Sequence, residues 1–66
     1  MTLQEKLRRA RLEKGLSLFQ VADALGYKTR ASVHHWETGY RIPKLASLKK
    51  LAKLYEVDIL HFITDD

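Results

Sequence analysis

The stretch from Leu18 to Glu37, LFQVADALGYKTRASVHHWE, constrains the fold most. Val21, Ala22 and Leu25 fall at i, i+1 and i+4, and Val33 and Trp36 at i and i+3. Each set forms a stripe on one face of a short helix. Ala22 is small where two crossing helices come closest. Gly26 sits just past the first stripe, where a left-handed residue ends a helix and starts a turn. Two short helices joined by a tight turn follow, the second polar and basic on its outer side.

Sixty-six residues make one domain, spanning 1–66. Domains this small bury only about 60% of their unfolded surface. Little room is left for an enzyme cleft beside a core. There is no cysteine, so neither a disulfide nor a thiolate metal site is available. His34, His35 and His61 lack the spacing of a zinc site. Neighbours such as His34 and His35 point about 100° apart on a helix, and a third ligand is missing. No apolar run approaches the roughly 18 residues of a membrane span, and no signal peptide is visible. A cytoplasmic, reduced setting is the expectation, with no cofactor and no membrane.

The net charge is +4, and its distribution is uneven. Residues 28–50 hold Lys28, Arg30, Arg41, Lys44, Lys49 and Lys50 against Glu37 alone. Residues 54–66 hold Glu56, Asp58, Asp65 and Asp66 with no Lys or Arg. The middle suits a polyanion and the tail does not.

Along the chain, Thr2-Leu3-Gln4-Glu5 has the form of a capping box. Leu3, Leu7 and Ala10 continue it as a helical stripe, and Gly15 ends that first helix. Ser17-Leu18-Phe19-Gln20 is a second capping box, and it opens helix 2. Thr29 is the expected N-cap of helix 3, which runs to about Thr38 and stops at Gly39. Residues 39–44 form a turn, with Ile42 extended because Pro43 follows it. Helix 4 carries Leu45, Leu48, Leu51, Ala52 and Tyr55 on one face. Asp58 caps a short helix 5 holding Ile59, Leu60, Phe62 and Ile63. No strand pattern or repeat is present, and the short connections predict a compact all-α domain.

The ordered set Gly15-Leu16-Ser17, Val21-Ala22-x-x-Leu25-Gly26, Val33-x-x-Trp36-Glu37-x-Gly39 and Pro43 resembles the Cro/phage-repressor (XRE-type) helix-turn-helix family. The resemblance covers about Leu3 to Ile63. It implies an all-α, five-helix, λ-repressor-like DNA-binding domain. It also implies an internal ion pair between Arg11 and Glu37; the plainer alternative is two solvated charges. The chain departs from the family pattern in three places. The interval from Gly26 to Glu37 is one residue longer than usual, an insertion placed near Lys28. Helix 2 begins with Leu18 where a phosphate-touching glutamine is common. Lys44 follows Pro43 where a serine cap is usual, and a missing cap costs about 1 kcal/mol.

In this family frame helix 3 lies in the DNA major groove with its N-terminal residues nearest the bases. Base contacts are then expected from Arg30, Ala31, Ser32 and His35. Arg30 matches guanine O6 and N7 with its two-pronged guanidinium, and the Ala31 methyl suits thymine. The competing role of Arg30 is a phosphate contact or a solvated charge. For His34 and His35 it is a solvated polar face. Phosphate contacts are expected from Ser17, Lys28, Thr29, Thr38, Tyr40, Arg41 and Lys44. Ser17 and Thr29 sit at helix N-termini, which favour anions, although simple capping also accounts for them. Lys49, Lys50 and Lys53 read as solvated. Ile59, Leu60, Phe62 and Ile63 either close the monomer core or form a homodimer interface on DNA.

The function expected is sequence-specific binding of double-stranded DNA as a transcriptional regulator, a repressor or Cro-like switch on a palindromic operator. The alternative is a protein-interaction module of the same fold, such as an antitoxin. A small hydrolase or metal protein is disfavoured by the missing ligands and cleft. The outer face of helix 3 separates the first two: Arg30, Ser32 and His35 suit DNA, whereas a partner-binding face calls for exposed apolar residues.

Overall fold

The computed structural model describes residues 1–64; Asp65 and Asp66, counted above in the acidic tail, lie outside them. Five helices follow in order: α1 (Leu3–Glu13), α2 (Leu18–Ala24), α3 (Ala31–Thr38), α4 (Leu45–Tyr55) and α5 (Leu60–Ile63). No strand occurs among the described residues. No helix among them is long and apolar enough to cross a membrane.

Both capping boxes form. Thr2 Oγ1 accepts from Glu5 N–H at 3.2 Å while Thr2 N–H donates to Glu5 Oε1 at 3.0 Å. That backbone donor holds the Glu5 carboxyl below the usual carboxylate range. Ser17 and Gln20 repeat the arrangement at the start of α2, at 3.0 and 2.8 Å. Two orphan N–H groups are thereby satisfied at each helix start. At the far end of α2, Gly26 takes φ +88°. The left-handed turn lets Tyr27 N–H close back on Ala22 C=O at 2.9 Å, as at many helix C-termini.

The core brings together Leu7 and Ala10 of α1, Val21 and Ala22 of α2, Val33 and Trp36 of α3, Leu48, Leu51, Ala52 and Tyr55 of α4, and Phe62 of α5. Val21 and Ala22 are completely buried.

Three expectations need correction, and at Phe62 the first of the two alternatives is met. Thr29 is not the N-cap of helix 3: α3 begins at Ala31, Arg30 holds the cap position, and Arg30 makes no side-chain cap bond. Thr29 Oγ1 only accepts from Ala31 N–H at 3.3 Å. Leu45 is exposed rather than part of the inner face of α4; as the first residue of that helix it precedes the turn that reaches the core. Helix 5 starts at Leu60, although Asp58 Oδ1 still accepts from Leu60 N–H at 2.9 Å. Phe62 is only 4% exposed and belongs to the monomer core. Its ring meets Tyr55 edge-on, with centroids 6.5 Å apart, so it leaves the expected dimer surface to its neighbours.

Candidate nucleic-acid interface

Val33 and Trp36 are buried and set the phase of α3. At about 100° per residue, Ala31, His34, His35 and Thr38 then fall on the side away from the core. Ala31, His34 and Thr38 are exposed and His35 is half-buried. The His35 ring lies 4.8 Å from the ring of Tyr40, which is itself 72% exposed. Arg41 reaches over the Tyr40 ring with its guanidinium carbon 5.8 Å from the centroid. His35, Tyr40 and Arg41 therefore form one polar, cationic ridge at the end of α3. Weak cation–π attraction of this kind orders a long side chain without discharging it.

Ser32 takes a different place. It is half-buried on the flank of α3 and lines a cleft with Tyr27, Tyr40, Arg41, Lys44 and Ser47. The cleft runs from the turn before α3 to the first turn of α4. Lys44 is the N-cap of α4 and makes no side-chain cap bond. The amides of that helix start are left to solvent or to another acceptor, and a helix start favours negative charge.

Lys28 and Arg30 are exposed in the connection between α2 and α3. Ser17 is engaged by Gln20 in its capping box, and Thr38 Oγ1 donates to His35 C=O at 3.3 Å. Leu18 packs partly buried against the core. The first residue of α2 thus serves packing, where the related pattern has a phosphate-touching glutamine.

The opposite end of α3 is held from below. Arg11 Nε and Nη2 donate to Glu37 Oε2 and Oε1 at 2.8 and 3.0 Å, and Nη1 donates to Leu16 C=O at 2.9 Å. The pair expected from the family resemblance is present, and it is a two-pronged one. The Glu37 hydrogen bond raises the Arg11 guanidinium further above its ordinary value.

On α5, Leu60 and Ile63 are 54% and 52% exposed, while Ile59 is half-buried against the core. Tyr27 was given no role from the sequence. Its ring packs edge-on against Trp36, centroids 6.0 Å apart at 70°. The available signal was an aromatic residue directly after the glycine that ends α2.

A family model described as helix-turn-helix matches residues 7–62, from within α1 to within α5. The chain belongs to the XRE-type helix-turn-helix family. Its helix-turn-helix unit is α2, the Leu25–Arg30 connection and α3. The chain is also 37% identical over 59 residues to the HTH-type transcriptional activator BcrR of Enterococcus faecalis. That match covers 89% of this chain and 28% of the relative, so the chain spans less than a third of that protein's length. No solved structure matches the chain.

Proposed function

We propose that this helix-turn-helix domain binds double-stranded DNA sequence-specifically and regulates transcription, without catalysis. One observation carries the reading. The exposed side of α3 is polar and continues into the exposed cations Arg41 and Lys44, with Lys28 and Arg30 at its other end. An interaction module of the antitoxin kind would call for apolar residues on that side. The apolar residues of α3, Val33 and Trp36, are instead buried.

In the proposed complex α3 enters the major groove. Arg30, Ala31 and His35 meet base edges, with Ser32 at the flank, and His34 joins them because it lies on the same exposed side. Lys28, Thr38, Tyr40, Arg41 and Lys44 approach phosphates. Ser17 and Thr29 offer phosphates the N–H groups of the helix starts beside them. Two copies meet through Leu60 and Ile63, with Ile59 beneath them, and read a palindromic operator. Such a dimer sets its recognition helices about 34 Å apart. The Enterococcus relative is described as an activator, whereas the Cro/repressor resemblance speaks for repression; both outcomes use the same operator contacts. The whole reading places the chain in the cytoplasm.

Selection of bound sequences from a random duplex pool tests the proposal. The expected result is a palindrome with half-site centres one helical turn apart. Recovery of unselected sequence, with binding no tighter than to bulk duplex, counts against it.

A further inference from the structure

We infer that Tyr27 is a positioning residue for the recognition helix: it ties α3 to the end of α2 and so sets the base preference of the domain. The inference rests on the DNA-binding reading above. It starts from how few polar ties hold the N-terminal end of α3, whose first turn is anchored in the core by Val33. Arg30 gives no side-chain cap. The Thr29 hydroxyl reaches Ala31 N–H only at 3.3 Å. Lys28, Thr29 and Arg30 are all exposed.

Tyr27 is anchored at both ends of this span. Its N–H is bonded to Ala22 C=O of α2 at 2.9 Å. Its ring meets Trp36 of α3 edge-on, the arrangement that aromatic quadrupoles favour. Of the residues in the connection, it alone makes a ring contact to α3 among the described residues.

The geometry makes that contact matter for reading bases. Arg30 lies three residues before the buried Val33 and Trp36 three residues after it, each about 4.5 Å along a helix axis at 1.5 Å per residue. The Tyr27 ring on Trp36 resists a tilt about Val33, and a tilt of about 10° there moves Arg30 by about 0.8 Å. Productive base contacts tolerate displacements of roughly 0.5 Å. Phosphate attraction depends on charge and falls off slowly, so it survives such a tilt. Loss of the Tyr27 ring therefore separates specific from non-specific binding.

The test compares wild type, Tyr27→Ala and Tyr27→Phe on the intact domain, with amide exchange and duplex binding as readouts. Tyr27→Ala is expected to speed exchange at the α3 amides beyond any change in α1 and α4. It should also lower the ratio of selected-site to random-duplex affinity roughly 2- to 10-fold, the worth of one aromatic pair, and broaden the selected sequence. Tyr27→Phe keeps the ring and should restore both. Trp36 is the only tryptophan, so its near-ultraviolet dichroism reports the contact directly.

Uniform acceleration across all helices would mean that Tyr27 merely stabilises the fold, and would overturn the inference. So would an unchanged site preference in Tyr27→Ala, whatever the exchange shows. If wild type itself shows no sequence preference, the DNA reading fails, and the base-preference claim fails with it. The exchange comparison then still shows whether Tyr27 positions α3, so the two failures are told apart.

Discussion

Arg11 and Glu37 are 26 residues apart in sequence and are joined by two hydrogen bonds of 2.8 and 3.0 Å. Their side chains are only 10% and 6% exposed. The pair fastens the end of α1 to the last turn of α3, and the third guanidinium bond to Leu16 C=O ties in the loop between α1 and α2. Replacing such a pair with apolar residues is often neutral, but removing one partner strands the other. Glu37→Ala or Arg11→Ala is expected to cost about 3–5 kcal/mol. The double variant should cost clearly less than the sum. Urea unfolding of all four proteins measures this, and simple additivity would show that the two charges act independently.

The tail helix separates monomer stability from self-association. Phe62→Ala empties a core position and should cost about 3–5 kcal/mol in the isolated domain. Leu60→Ser and Ile63→Ser change exposed positions and should shift monomer stability by no more than about 0.5 kcal/mol. If these residues join two copies on DNA, the serine variants weaken binding to a two-half-site operator and leave single half-site binding intact. Equal loss on both duplexes would remove α5 from the interface.

Arg30 probes direct reading of bases. Arg30→Lys keeps the charge and loses the fork that matches guanine O6 and N7. It should relax preference at one base pair per half-site with little change on random duplex. Arg30→Ala should cost about 1–3 kcal/mol of specific affinity. Should both variants weaken every sequence alike, Arg30 touches the backbone instead. The longer turn before α3 has then aimed it away from the bases.

Arg41 and Lys44 probe the phosphate ridge. Duplex affinity should fall steeply with salt, because each neutralised phosphate releases counterions. Alanine at either position should lower the logarithmic salt slope by about 1 and weaken all sequences similarly. Affinity that is flat from low to moderate salt would speak against the proposed contacts.

Tyr55 gives a pH signature. Burial first, and the nearby Glu37 carboxylate second, push its phenol well above the ordinary tyrosine value. The neutral form is the one that fits the folded core. Stability from this group is therefore complete below about pH 10, where the unfolded phenol titrates. It is lost as pH rises further and only the unfolded chain ionises. Unfolding free energy should decline above about pH 10 more steeply in wild type than in Tyr55→Phe. Identical alkaline profiles would place the phenol in water.

What the sequence determined by itself is local. The two capping boxes, the left-handed glycines and the inward stripe of Val21, Ala22, Val33 and Trp36 follow from interactions within three or four residues. Such interactions are the same in a peptide as in a fold. The boundaries of α1, α2 and α4 were legible for that reason, and with them the helix-turn-helix. The tertiary structure decided which side of each stripe met a partner. Phe62 and Ile63 are adjacent and both apolar, yet one is buried and the other half exposed, because only one faces Tyr55 across the bundle. Lys6, a cation beside the apolar stripe of α1, is 3% exposed and donates to Thr64 C=O at 2.9 Å. Nothing within a few residues of Lys6 announces a partner 58 positions away. The same holds for Tyr27 on Trp36: periodicity assigns a face, but the ring that covers it comes from how α2 and α3 cross.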